Sequence, residues 1–386
     1  MGQKCILLTG ARAPIALDLA RLFAAEGHRV LAADTVSYHV CRFSRSVEKS
    51  FVVPSPTKDP KGFVNQLAQI AKQEKVDLVI PTCEEIFYLT DQKKKFQTEI
   101  FCDSFDKLQE LHNKWTFYQL LQKHGFVVPE THLVQSREEL SAFFPLNKKM
   151  VIKAIYSRFA TKVHILNAGD SMPASIEITP EQPWIIQEYI DGRRLCTSSV
   201  ARAGQLTAHA TYPVIFCVGT IGSCLAFENE VHSGIQQWVQ RFVKNINFTG
   251  QLSFDFIEEP SGRLIAIECN PRPASGIHLF SQDDHLSEAF FGNPNKTITP
   301  KNSIPRVIKS GMLGFGWPSA FQQKKVASFL WQAIAHRDVL FSWNDPLPFL
   351  AQPLIFAQYW RMSQNLKISL LEAATEDIKW NGPSKF

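Results

Sequence analysis

Apolar residues in the first hundred positions come in short blocks separated by helix-length stretches. Cys5-Ile-Leu-Leu-Thr9 is followed by a turn at Gly10, a helical run through Ile15, Ala16, Leu17 and Leu19, and a second block, Val30-Leu-Ala-Ala-Asp34. This predicts a strand, a turn, a helix and a parallel strand ending in an acid. Asp77-Leu-Val-Ile-Pro-Thr-Cys-Glu-Glu85 predicts a later parallel strand, with Thr82, Glu84 and Glu85 at the carboxyl end where open α/β sheets bind ligands. The outline is that of a dinucleotide-binding unit, but Gly10 stands alone with Arg12 and Pro14 in the turn. Without G-x-G-x-x-G, nicotinamide binding is disfavoured.

Further along, Lys114 opens a helix-like run that reaches Leu121 and stops at His124-Gly125. In Met150-Val-Ile-Lys-Ala-Ile-Tyr156, Val151, Lys153 and Ile155 share one strand face, while Ile152 and Ala154 take the other. Trp184-Ile-Ile-Gln-Glu-Tyr-Ile190 reads as an apolar strand ending in the turn Asp191-Gly192. Gln251 to Asn270 reads as a β-hairpin around Pro260-Ser261-Gly262, whose simplest register sets Asp255 opposite Ala266 with Glu268 as its diagonal same-face neighbour. Asn270 continues that row, and Cys269 points to the core.

Asp255, Glu268 and Asn270 are hard oxygen donors on one surface, the set Mg²⁺ combines with nucleotide phosphates. An exposed hairpin with merely solvated acids is the plain alternative. Arg272, held between Pro271 and Pro273, argues against it by adding a cation beside the acids in a stiffened segment.

An acid on one strand followed by Glu-x-Asn-x-Arg on the next resembles the carboxyl-terminal half of the ATP-grasp superfamily, which includes biotin carboxylase, carbamoyl phosphate synthetase and D-alanine ligase. The resemblance spans roughly the first 280 residues, with specific motifs from Lys114 onward. It implies an α/β chain, α+β in the grasp domain: a Rossmann-like domain at 1–105, an ATP-grasp domain at 106–290 with a lid at about 130–189 and a metal-bearing half at about 190–290, and a mainly helical extension at 291–386. Lys114 and Lys153 match the two phosphate-binding lysines, and Gln187, Glu188, Tyr189 and Ile190 match the adenine hinge. Asp255, Glu268 and Asn270 match the Mg²⁺ ligands (Mn²⁺ is an option), while Arg272 and Lys153 match catalytic positions. The implied activity is an ADP-forming ligase that activates a carboxylate as an acyl phosphate and couples it to an amine or other nucleophile. The alternative is a nucleotide-binding regulatory protein without turnover.

Two departures favour that alternative. The lid segment Ser157-Arg158-Phe159-Ala160-Thr161 has no glycine, leaving Ser157, Arg158 and Thr161 as side-chain candidates for phosphate, and Arg193-Arg194 stands where the family often holds ribose with an acid. Biotin-dependent carboxylases also place a glutamate six residues after the metal-binding asparagine, where this chain has Gly276, and His278 reads equally well as structural. Bicarbonate is therefore disfavoured as the activated acid.

Composition adds limits. The 386 residues, 45% hydrophobic, call for two or three domains, and a net charge of +5 without a cationic stripe gives no support to nucleic-acid binding. Eight scattered cysteines without C-x-x-C fit a reducing compartment, and the opening lacks a signal pattern, so a cytoplasmic protein is expected. No apolar run is long enough to span a bilayer; the partners are small molecules, with a homodimer left open. In the tail, 325–336 has helical spacing and Pro348 falls in the first turn of a short helix. The stripe of Phe349, Phe356, Tyr359 and Trp360 is expected to pack in a core, with a membrane-surface helix as the minority reading.

Overall fold

The computed structural model describes residues 2–157, 162–219, 222–292 and 296–382. The phosphate candidates Arg158 and Thr161 lie outside the described residues.

The amino-terminal strands form a five-stranded parallel sheet in the order Lys49–Val52, Arg29–Asp34, Cys5–Thr9, Leu78–Pro81, Glu99–Ile100. Its three central strands are nearly continuous buried apolar runs because both faces are covered. Ile6, Leu8, Val30, Ala32, Leu78 and Ile80 face the helix Pro14–Ala25, and their alternates Leu7, Leu31 and Val79 face the helix Pro60–Gln73. Strand order reverses between Cys5–Thr9 and Leu78–Pro81, where a ligand crevice is expected. Here the crevice is filled from within. Glu85 Oε1 accepts from Thr9 Oγ1 at 2.7 Å and from the Thr82 backbone N–H at 3.1 Å. At Gly10 (φ +65°), a Cβ would stand 2.9 Å from Glu85 Oε1 and from Thr82 Oγ1, so the turn requires glycine.

The second sheet is antiparallel, in the order Gln205–Pro213, Arg193–Arg202, Gly250–Glu258, Leu264–Asn270. It corrects the predicted hairpin register. Asp255 lies opposite Glu268 and Ser253 opposite Asn270, whereas Phe256 pairs with Ala266, so Ile267 is the extra residue of a β-bulge. The bulge slides the two acids from diagonal to directly opposed. Behind them, Phe254 and Phe256 pack against Trp238 and Phe242, and Cys269 is buried in the same core, on the face away from the acids as alternation requires. The turn after Ile190 closes on the hairpin so tightly that a Cβ at Gly192 would meet the Glu258 carbonyl oxygen at 2.4 Å.

A third, antiparallel sheet runs Thr131–Val134, Trp184–Glu188, Met150–Ala154, Val163–Leu166. Met150, Ile152, Ala154, Trp184 and Ile186 share its core, which turns Lys153 to the opposite face. The helix Lys114–Lys123 starts at Asn113, whose side-chain oxygen accepts from the N–H groups of Trp115 and Thr116, and stops before Gly125 at φ +67°.

The carboxyl-terminal region is mainly helical but contributes Arg306–Val307 and Arg337–Asp338 to a small sheet with Ala226–Phe227. Helices cover Val326–Ala335, Leu347–Leu350 and Gln352–Leu366. The expected aromatic core stripe is only partly one: Tyr359 is half-buried, whereas Phe349, Phe356 and Trp360 are exposed. The chain then returns to the parallel sheet, where Trp380 is buried and stacks on Phe87 at 4.2 Å.

Candidate functional site

Three elements meet around the bulged hairpin. The helix start places Lys114 Nζ 3.5 Å from Glu268 Oε1, and the strand Met150–Ala154 places Lys153 Nζ 3.2 Å from the carbonyl oxygen of Ile267, the bulge residue. The Asn270 amide donates to Glu268 Oε1 at 3.4 Å, and Arg272 Nη2 donates to Asn270 Oδ1 at 3.4 Å. From the neighbouring strand the Cys196 thiol donates to Asp255 Oδ1 at 3.1 Å. Most of these contacts lie at the long end of the hydrogen-bond range. The cluster is assembled but loosely compensated.

Its electrostatics follow from burial and like charges. Burial and the facing Glu268 push the Asp255 carboxyl up. Burial also acts to raise Glu268, but Lys114, Lys153, His112 and Arg272 outweigh it and hold that carboxyl down. Burial and the neighbouring Lys114 pull Lys153 down to about 8. Two carboxylates facing two lysines and an arginine make a surface suited to a bound cation and a polyanion together.

Hard oxygen donors from Asp255, Glu268 and Asn270 fit Mg²⁺, which takes one or two protein carboxylates and completes its shell with water and phosphate oxygens. No group of three or more His, Cys, Asp or Glu that could hold a metal occurs among the described residues. A site for a softer metal, held by protein alone, is thus not formed among them.

In the segment expected to form the adenine hinge, two backbone donors are already engaged. The Glu188 N–H donates to the Glu130 carbonyl at 2.8 Å and the Tyr189 N–H to the Lys149 carbonyl at 3.3 Å, so neither is available to a base. Gln187 is buried and donates from its side chain to Thr131 Oγ1 at 2.8 Å, while Lys149 Nζ lies 3.7 Å from the Tyr189 ring centroid. Ile190, buried at the strand end, is the position left for a backbone donor. Arg193 is held by Glu230 and Glu258 at 2.7 Å each. Gly276 has a steric cause, because a Cβ there would stand 2.7 Å from Ser198 Cβ. His278 is buried with Nδ1 2.7 Å from Asp18 Oδ2, beside Phe227.

Sequence reasoning missed Cys196 and His112, and placed Arg194 at the ribose position rather than beside Asp255. Cys196 pairs with Asp255 across the sheet, and Arg194, two residues away on the same face, opposes the upward shift of the Asp255 carboxyl. The pairing of Arg193–Arg202 with Gly250–Glu258 joins segments some fifty residues apart, and no local pattern encodes it.

A second polar cluster lies at the carboxyl end of the parallel sheet. Arg12 Nη2 is 2.5 Å from Asp34 Oδ1 and Nη1 is 2.6 Å from Asp377 Oδ1, with the guanidinium almost wholly buried. Thr35 also bonds Asp377, and the Ser55 hydroxyl donates to the Asp377 carbonyl at 2.8 Å. Glu84 Oε2 accepts the Trp380 N–H at 2.9 Å, and the Tyr88 hydroxyl donates to the Lys379 carbonyl at 2.8 Å. The returning tail therefore closes the crevice expected to be open at Glu84.

The fold and this geometry agree with the family comparison: residues 111–276 match the profile of the ATP-grasp domain, and the chain carries that domain. The solved structures it resembles include the ADP complex of an N5-carboxyaminoimidazole ribonucleotide synthetase, with a TM-score of 0.61 at 16% identity over 79% of this chain and 81% of that one. An L-amino acid ligase from Bacillus licheniformis gives a TM-score of 0.58 at 13% identity, covering 75% of each chain. Likeness at these identities establishes the fold. An uncharacterized protein of Methanocaldococcus jannaschii is 23% identical over 212 residues, 54% of this chain and 53% of that protein. The chain thus spans about half the length of the curated relative it matches. No helix among the described residues is long and apolar enough to cross a membrane.

Proposed function

We propose that the chain is an ATP-dependent, ADP-forming ligase that converts an organic carboxylate to an acyl phosphate and passes the acyl group to an amine or another nucleophile. The observation that carries this reading is the pair of facing carboxylates, Asp255 and Glu268, set against Lys114 and Lys153 with long, incomplete contacts. A buried cluster of this kind gains from a ligand that brings both a cation and phosphate oxygens. In this reading residues 1–105 form the amino-terminal domain, 106–290 the ATP-grasp domain and 291–386 an extension.

Asp255, Glu268 and Asn270 would hold Mg²⁺, or Mn²⁺ in its place, which when bound supplies positive charge to the phosphate oxygens. Lys114 and Lys153 neutralise the remaining phosphate charge as it shifts during transfer. Lys153 is suited to this because it is held in a dry environment against a backbone carbonyl. The Ile190 N–H, with backbone carbonyls of the hinge, orients the adenine. Arg272 holds the substrate carboxylate in a bidentate grip and directs it at the γ-phosphate. Closure of the lid over the cleft excludes water from an intermediate that would otherwise hydrolyse. All eight cysteines are free thiols, which supports a reducing compartment such as the cytoplasm.

The test is ADP release from MgATP with a panel of organic carboxylic acids, with hydroxylamine trapping the activated acid as its hydroxamate. The expected result is acid-dependent ADP release and a matching hydroxamate. Turnover on bicarbonate alone would overturn the organic-acid reading, and thermal protection by MgATP without ADP release under any acid would identify a nucleotide-binding regulatory protein.

A further inference from the structure

Positive charge is unevenly placed along this chain. Residues 296–367 carry nine Lys and Arg against two Asp and Glu, whereas the rest of the chain has 32 basic and 34 acidic residues. Both acids of the basic segment are used internally. Asp338 accepts from the backbone N–H groups of Lys309, Leu340 and Phe341, and Asp345 accepts from Arg21, the Ser44 hydroxyl and the Arg45 N–H. The surface of this segment therefore presents cations with no acid of its own to balance them.

The same segment exposes large apolar side chains. On the helix Val326–Ala335, Trp331 is 67% and Ile334 75% exposed, and in the following loop Trp343 is 88% exposed. Leu330 shares the helix face of Ile334 at i, i+4, and Leu347 and Leu350 project from the next helix at i, i+3. Ile334, Trp343 and Phe349 border one open groove of about 960 Å³, together with Arg306, Lys309 and Arg337; of its acids, Asp18 and Asp338 are engaged internally and Asp283 is exposed. Arg306 and Arg337 are register partners in a parallel strand pair, which sets two like charges side by side. Neither makes an ion pair among the described residues. The arrangement costs free energy in water and is relieved by an anion on that face.

We propose that this face of the carboxyl-terminal extension docks the protein onto an anionic phospholipid surface. Exposed Trp, Leu and Ile with flanking Lys and Arg are the composition of interfacial segments: indoles seat at headgroup level while cations meet lipid phosphates. Cations near such a surface are drawn to its lipid phosphates, so the Arg306, Lys309 and Arg337 set acts alongside the apolar contacts. A second copy of this chain is disfavoured as occupant, because a two-fold interface would bring the paired Arg306 and Arg337 of one copy toward the same pair of the other. The inference is independent of the nucleotide-site reading, since none of these residues lies in that cluster.

The test is flotation of the full-length protein with vesicles of phosphatidylcholine alone and of an equimolar mixture with phosphatidylglycerol. Retention on the anionic vesicles only, reversed by high salt, is expected. Ile334→Ser combined with Trp343→Ser should lower that retention at least about tenfold while leaving the thermal midpoint unchanged, because both side chains are solvent-exposed in the free protein. Arg306→Gln with Arg337→Gln should lower it as well, and should do so by removing its dependence on phosphatidylglycerol. Absence of retention, equal retention on both vesicle types, or an Ile334/Trp343 variant retained like the wild type would each overturn the proposal. So would a homodimer seen by light scattering that the same pair of substitutions dissolves while vesicles retain nothing.

Discussion

Two buried polar clusters in this molecule contain similar groups and are satisfied very differently. Around Arg12 each charge has a close partner from the chain itself, with Asp34 and Asp377 at 2.5 and 2.6 Å. Around Glu268 the contacts stretch to 3.2–3.5 Å, and two carboxylates face each other. A cluster completed from within needs nothing further and holds domains together. One left incomplete, with like charges opposed, is where a ligand adds most. Burying charge is costly unless it is paired, so the distinction has energetic content beyond geometry.

The sharpest way to break this comparison is to remove one acid from each cluster. Glu268→Gln should lower ATP turnover by on the order of 10²–10³-fold, as loss of a preorganised electrostatic group does, with a thermal midpoint close to wild type. Asp34→Asn should do the reverse. It leaves Arg12 buried with part of its charge unmet and should cost roughly 3 kcal/mol of stability, seen by denaturant unfolding, with no specific effect on turnover of the folded fraction. Burial acts to raise the Asp34 carboxyl, but Arg12 outweighs it and holds it below its usual value. Its contribution is therefore present above the ordinary carboxylate range and lost as pH falls through the depressed value. If Asn at 34 abolished turnover in a fully folded protein, or Gln at 268 unfolded the chain, the two clusters would have to exchange roles.

The two clusters also differed in how far the sequence disclosed them. Asp255, Glu268 and Asn270 lie on two adjacent strands with Arg272 two residues beyond, and period-two alternation puts Glu268 and Asn270 on one face. The register needed more, since a bulge at Ile267 has no signature in a run of Ile, Ala and Ile. Lys114 and Lys153 were found through resemblance and order along the chain. Cys196, and the place of Arg194 beside Asp255, were not found, because their strand reaches the site by a long-range pairing. In the second cluster, Arg12 and Asp377 are separated by most of the chain. A Trp near the tail reads as surface or core with equal ease, and only the closed fold shows Trp380 stacked on Phe87.

Cys269 sharpens the comparison inside a single hairpin, because it sits between two of the proposed ligands and faces away from both. Its thiol is buried among Phe254 and its neighbours, and that burial pushes it well above the usual thiol value. Cys269→Ser should place a hydroxyl in an apolar setting and cost about 2 kcal/mol, with an unchanged Mg²⁺ dependence of turnover. A selective loss of metal affinity in this variant would show that alternation fails at the bulge.

Lys153 gives the smallest effect and tests directly whether the first cluster is under-compensated. Burial and the proximity of Lys114 lower it from its usual 10.5 to about 8, so the folded state binds this proton less tightly than the unfolded chain. Between those values the unfolded state holds more protons, and stability from this group rises with pH; below about 8 the full penalty of the buried charge is present. Lys153→Met removes that penalty. The ligand-free variant should be more stable than wild type at neutral pH by part of the roughly 3 kcal/mol the shift represents, the rest offset by the lost contact to the Ile267 carbonyl, with the difference shrinking as the pH approaches 10. MgATP should nonetheless protect the variant far less than wild type, because the charge that burdens the empty site is the one that meets the phosphates. A ligand-free variant less stable than wild type would mean that Ile267 and the acids already satisfy Lys153, and that the cluster resembles the Arg12 network after all.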